Sequence, residues 1–106
     1  MGVPCYRVLA EAFVGEGVDT VFALTGDGNM HWEAAFAETP GTRTVNVRHE
    51  HCACAMATAY ARVADTVGVA SVTCGPGVTQ ISTALVTAVQ ARVPLVVFAG
   101  ESPLHG

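Results

Sequence analysis

The sequence predicts an α/β fold: a doubly wound parallel sheet with helices on both faces, truncated after its fourth strand. Three observations carry this expectation. Four β-rich apolar runs, centred near residues 22, 45, 70 and 96, recur about every 25 residues, the length of a strand plus a returning helix. Between them, apolar residues fall at the i, i+3, i+4, i+7 spacing of helices. Runs three and four are almost continuously apolar, as in strands covered on both faces. At 106 residues the chain is one domain at most, so residues 1–106 are read as a single unit. Gly100 to Gly106 alone follow the fourth strand, where a further helix is expected.

Each element has its own signal. Tyr6, Leu9, Ala10 and Phe13 mark a first helix, stopped by Gly15 and Gly17. Residues 18–24 read as the first strand, running into Thr25-Gly26-Asp27-Gly28-Asn29. A short helix presents Trp32, Ala35 and Phe36, and Pro40-Gly41 closes it. Residues 42–47 form the second strand. A long alanine-rich helix over about 49–64 carries Ala53, Met56, Ala57, Tyr60, Ala61 and Ala64 on one stripe. Residues 67–72 are the third strand, leaving through Thr73-Cys74-Gly75-Pro76-Gly77. Val78, Ile81, Leu85 and Val89 mark a fourth helix, and residues 94–99 the fourth strand. Such alternation implies right-handed crossovers.

Composition removes several function classes. Half the residues are hydrophobic (51%) and 13% are charged, too apolar a balance for a disordered chain. The five basic residues are scattered arginines, so the clustered basic face of a nucleic-acid binder is missing. With no lysine, a Schiff-base mechanism and a GxxxxGK[ST] phosphate loop both fall. No apolar run approaches the ~18–20 residues of a membrane span. No signal peptide is expected, as Met1-Gly2-Val3-Pro4-Cys5 has no basic stretch leading into an apolar one, and no myristoylation, as Tyr6 stands where Ser or Thr is wanted. The expectation is a cytoplasmic protein without a membrane or nucleic-acid partner. Cys5, Cys52, Cys54 and Cys74 make no CxxC or zinc spacing with His49 and His51, and are expected as reduced, small core residues. No metal ligand is assigned.

Chemistry in an open parallel sheet sits outside the carboxyl ends of the strands. The loops there are Thr25 to Asn29, Arg48-His49-Glu50-His51, Thr73 to Gly77, and Gly100-Glu101-Ser102. Glu50 falls in the first turn of the long helix. A glutamate there ordinarily just faces the helix dipole, worth ~0.3–1 kcal/mol. Its small apolar neighbours, however, would leave the carboxylate poorly solvated, a setting for proton exchange. The glycine loops are poor phosphate cradles: Asp27 adds negative charge to one and Pro76 removes an N–H from the other. Gly26-Asp27-Gly28 also lacks the GxGxxG of a dinucleotide fold. A flat, uncharged ring fits better. Asp27, His31 and Ser102 form no supported triad, there being no G-x-S-x-G elbow. His49 and His51 are read as flanking the site or solvated.

Taken together, these residues resemble the N-terminal, pyrimidine-binding domain of the thiamine-diphosphate-dependent enzymes, a group that includes acetolactate synthase, pyruvate oxidase and the 2-oxo-acid decarboxylases. The strongest pieces are Val47-Arg48-His49-Glu50 with Ala53, Met56-Ala57 and Ala59-Tyr60-Ala61-Arg62, then Gly68-Val69-Ala70 through Thr73-Cys74-Gly75-Pro76-Gly77. Their order and spacing, more than any one piece, make the match specific.

The resemblance implies that Glu50 is the catalytic residue of this domain, hydrogen-bonding N1′ of the cofactor's aminopyrimidine and so activating it. It implies that Thr25, Gly26, Thr73, Pro76 and Gln80 line the pyrimidine pocket. It further implies thiamine diphosphate as cofactor and a 2-oxo acid such as pyruvate as substrate. The diphosphate-binding domain of another subunit would supply Mg²⁺, within a homo-oligomer. Two positions depart from the family pattern: Gln80 stands where asparagine is common, and Thr25 where proline is. Gly26-Asp27-Gly28 imitates the diphosphate motif GDG…N of the family's last domain, but Asn46 follows too soon. The expectation is a half-site that is inactive alone and whose uncovered apolar surface favours self-association. Two alternatives stand beside it. One is a stand-alone interaction subunit completed by a separate diphosphate-binding chain; the other is an unrelated nucleotide-binding α/β domain.

Overall fold

The computed structural model describes residues 2–101. Its elements run α1 (Cys5–Gly15), β1 (Thr20–Ala23), α2 (Met30–Glu38), β2 (Arg43–Asn46), α3 (Glu50–Ala64), β3 (Gly68–Val72), α4 (Pro76–Thr79), α5 (Ser82–Gln90) and β4 (Leu95–Ala99). The four strands are parallel, in the order β2-β1-β3-β4. This is the doubly wound α/β sheet that the alternation predicts.

The pleat sorts side chains to two faces. Val21 and Ala23 of β1 meet α1 and α2 in a core with Ala10, Trp32, Ala35, Phe36 and Val69. Trp32 anchors that core, stacking on Phe13 at 5.1 Å and meeting Phe98 edge-on at 5.2 Å. Phe22 and Ala70 turn to the other face, against Ala53 and Ala57 of α3. Val72 packs there with Cys54, Ile81 and Ala84. The alanines let α3 lie so close that a Cβ on Gly68 would fall on the Ala57 carbonyl oxygen. Burying such a face, at ~25 cal/mol per Å², is the main drive for the fold.

Four expectations need correction. The fourth helix is two helices, α4 and α5, broken at Gln80 and Ile81. Ile81 (φ −90°, ψ −4°) stands as the N-cap of α5 while its side chain packs into the core beside Val72. Second, of the stripe Val78, Ile81, Leu85 and Val89, Ile81 alone is buried; the inward residues are Gly77, Ile81, Ala84 and Ala88. Small residues face α3, and the larger apolar ones face out, Val89 being 67% exposed. Third, β4 is an edge strand and incompletely covered, with Val96 42% exposed. Last, of the four cysteines Cys54 is the one fully in the core: Cys5 and Cys52 are exposed and Cys74 is half-buried. Among the described residues no helix is long and apolar enough to cross a membrane.

Candidate functional site

The strand order positions a crevice. After β1 the chain turns to α2 on one face; after β3, β1's neighbour, it turns to α4 and α5 on the other. The loops leaving these two strands diverge, and ligands of open α/β sheets bind in the gap so formed.

Close backbone approaches bring the loops together. A Cβ on Gly26 would stand 2.6 Å from Thr73 Cγ2, and one on Gly28 2.8 Å from the Gly100 carbonyl carbon. The β1 loop is therefore wedged between the exits of β3 and β4, and at Gly28 the obstacle is backbone, which cannot swing aside. Gly75 takes φ +66°, in the left-handed region, and delivers Pro76 as the first residue of α4, where its missing N–H costs nothing. Alongside lies a hollow of about 280 Å³ lined by Cys74, Gly75, Val78, Ala99, Gly100 and Glu101. A larger hollow, about 470 Å³, lies at the other end of the strands. It is bounded by the last turns of α3 and α5 and holds none of the candidate site residues.

Glu50 opens α3. His49 caps the helix, its Nδ1 accepting the His51 N–H at 3.0 Å. That cap aims the first turn at the crevice: Glu50 Oε2 stands 3.8 Å from the Cβ position of Gly77, which is itself 3.4 Å from Thr73 Oγ1. The Glu50 side chain is half-buried, and among the described residues no hydrogen bond or ion pair engages its carboxylate. Glu50, Gly77, Thr73 and Gly26 thus form one continuous group drawn from three segments: the start of α3, the β3 exit and the β1 loop.

The remaining predicted residues are placed less centrally. Pro76 is exposed on the first turn of α4. Gln80 is the exposed C-cap of α4, and among the described residues no hydrogen bond joins its side chain to Glu50 or Thr73. The Thr25 hydroxyl is committed to a neighbour, donating to Glu33 Oε1 at 2.5 Å. His31 lies over the Tyr6 ring at 5.6 Å, between α2 and α1, while Ser102 falls outside the described residues.

A polar cluster beneath the β1 loop was missed by sequence reasoning. Glu33, on the first turn of α2, is 5% exposed. Its carboxylate accepts from Thr25 and, through Oε2, from Ser71 Oγ at 2.5 Å. Asn29 Nδ2 donates to Ser71 Oγ (2.8 Å) and to the Leu24 carbonyl (3.2 Å), and Asn29 Oδ1 accepts the Gly26 N–H (2.8 Å). Burial pushes the Glu33 carboxyl above its ordinary range, with the Ser71 and Thr25 hydrogen bonds opposing. One signal was present: at 100° per residue, position 33 borders the buried arc of Trp32, Ala35 and Phe36.

The chemistry of the crevice follows from its residues. It offers an unengaged carboxylate, glycine-rich backbone and few cationic groups, a donor set suited to a flat, polar, uncharged ring. Among the described residues no cluster of three or more His, Cys, Asp or Glu could hold a metal ion.

Comparison with known proteins gives the family. The model of the family described as "Thiamine pyrophosphate enzyme, N-terminal TPP binding domain" matches residues 5–106. A probable acetolactate synthase of Mycobacterium bovis is 36% identical over 97 residues, 92% of this chain and 18% of that protein. A chloroplastic acetolactate synthase of Arabidopsis thaliana is 36% identical over 96 residues, 91% of this chain and 14% of that protein. A 2-hydroxyacyl-CoA lyase 2 of Danio rerio is 42% identical over 94 residues, 89% of this chain and 15% of that protein. The chain thus spans less than a fifth of the length of these relatives. It belongs to the thiamine pyrophosphate enzyme family, matching that family's N-terminal cofactor-binding domain.

Proposed function

We propose that this chain supplies the aminopyrimidine half of a thiamine diphosphate site, with Glu50 as the group facing N1′, in an enzyme that cleaves or joins carbon–carbon bonds next to the carbonyl of a 2-oxo acid such as pyruvate. The observation that carries the proposal is the half-buried, unengaged Glu50 carboxylate held beside Gly77, Thr73 and Gly26. The crevice fits the group. Asp27 and the N–H-free Pro76 disfavour a diphosphate there, whereas an aromatic ring can lie against Gly26 and Gly77 and meet the carboxylate edge-on. When bound, thiamine diphosphate supplies a nucleophilic carbon and an electron sink for decarboxylation or ligation.

The chain's own residues then have separate tasks. Glu50 holds a proton against the ring nitrogen, Thr73 and Gly26 form the walls, and the Pro76 turn closes one side. The family-level expectation places the diphosphate and Mg²⁺ in another domain, contributed by a second subunit, so this chain alone is inactive. The apolar residues Val78, Leu85, Val86 and Val89, all exposed along α4 and α5, support such a partnered arrangement.

Cofactor titration tests the reading. Added thiamine diphosphate is expected to shift the NMR signals of Gly26, Thr73 and Gly77 in this chain, and Glu50→Gln to weaken that response. Perturbation confined to other surfaces, or a stronger response to adenine nucleotides, would overturn it.

A further inference from the structure

We propose that Glu33 is a positioning residue: a buried strut that, through Ser71 and Asn29, fixes the Gly26 peptide against which the pyrimidine rests. The ligand in this statement depends on the function proposed above; the strut itself does not.

The hydrogen-bond directions leave little freedom. Ser71 Oγ accepts from Asn29 Nδ2, so its single proton goes to Glu33 Oε2. Both Asn29 amide protons are used, on Ser71 and on the Leu24 carbonyl, which turns Asn29 Oδ1 toward the Gly26 N–H. The Gly26 carbonyl in turn accepts from the N–H groups of Asn29 and Met30 (3.3 and 3.0 Å). Gly26 is therefore gripped at both ends. Asn29 is the residue before α2, where its side chain would ordinarily cap the helix, yet it makes no cap and reaches into the loop instead. Glu33 also ties the exits of β1 and β3 together, since Thr25 and Ser71 belong to different strands' ends.

Charge is not what the position requires. Among the described residues the ion pair of this region is Arg7 with Glu38 at 3.6 Å, and no cation stands against Glu33. A glutamine of the same shape satisfies the cluster: its oxygen accepts from Ser71 and its amide donates to Thr25, whose hydroxyl can reverse. Leucine satisfies neither.

The test compares Glu33→Gln, Glu33→Leu and Ser71→Ala in this chain by amide hydrogen exchange and thiamine diphosphate titration. Glu33→Gln is expected to leave Gly26 protection and cofactor response within about threefold of the parent, since it keeps both hydrogen bonds. Glu33→Leu and Ser71→Ala are expected to speed Gly26 exchange by about tenfold or more, with α5 amides such as Leu85 unchanged, and to weaken cofactor binding in step. Unchanged Gly26 exchange in both disruptive variants would overturn the strut. So would loss of protection spread evenly over the chain in both, which would make the cluster a general stability element. Gly26 responding as expected in a parent chain that shows no cofactor-dependent shift would sink the proposed ligand and leave the strut standing.

Discussion

Glu33 and Glu50 occupy equivalent places: each lies in the first turn of a helix that follows a strand, at the carboxyl end of the sheet. Their surroundings are opposite. Glu33 is buried and spends both oxygens on Thr25 and Ser71, whereas Glu50 is half-buried and, among the described residues, spends neither. A buried polar group must be satisfied internally or it costs ~1–3 kcal/mol. A partly solvated one can wait for a ligand. The pair teaches that a carboxylate at a helix start is not informative by itself; what its oxygens already hold decides whether it is a scaffold or a reagent.

The largest effect is expected where that difference is greatest. In an enzyme built on this domain, Glu50→Gln should slow hydrogen–deuterium exchange at C2 of thiamine diphosphate by ~10²–10⁴-fold, the range of a lost general acid–base group. Because Glu50 holds nothing in place, its urea midpoint should move by no more than the equivalent of about 0.5 kcal/mol. A large loss of stability would put Glu50 in the same class as Glu33.

Glu33→Leu should show the reverse weighting. Leaving Thr25 and Ser71 without an acceptor is expected to cost ~2–4 kcal/mol in urea denaturation. Glu33→Gln should cost less than half of that.

The pH dependence sharpens the contrast. Burial raises the Glu33 carboxyl in the folded chain, so the folded state binds this proton more tightly than the unfolded state. Its contribution is fully present below the ordinary glutamate range and is lost as pH rises toward the folded value, with a slope of at most ~1.4 kcal/mol per pH unit. Glu33→Gln should remove that decline, measurable as denaturation midpoints that separate with rising pH. Asp19 has the opposite sign: hydrogen bonds from Tyr60 and Thr20 lower its carboxyl, so its contribution is present above the ordinary aspartate range and is lost on acidification.

The smallest effect is expected at Gly77→Ala. The added methyl would sit 3.8 Å from Glu50 Oε2 and 3.4 Å from Thr73 Oγ1, ordinary to tight contact. Stability should change by no more than ~1 kcal/mol, since a glycine inside a helix is itself unfavourable. Cofactor response should still weaken severalfold as the wall of the crevice thickens, and an unchanged response would place the ring elsewhere.

The sequence by itself determined the alternation of four strands and their helices, because periods of two and 3.6 are properties of local backbone geometry that apolar residues report directly. It also singled out the loops after β1 and β3 and the start of α3 as candidates, since glycine, proline and an acidic residue at a helix start leave local signatures. Tertiary structure alone decided which side chains those loops touch. Glu33 reads as an ordinary surface glutamate until Ser71, 38 residues away, is placed against it. The break at Ile81 and the outward turn of Val78, Leu85 and Val89 were likewise set by how closely the alanines of α3 and α5 allow the two helices to pack. Period constrains direction within one element; partners across the sheet depend on strand order, which no single element encodes.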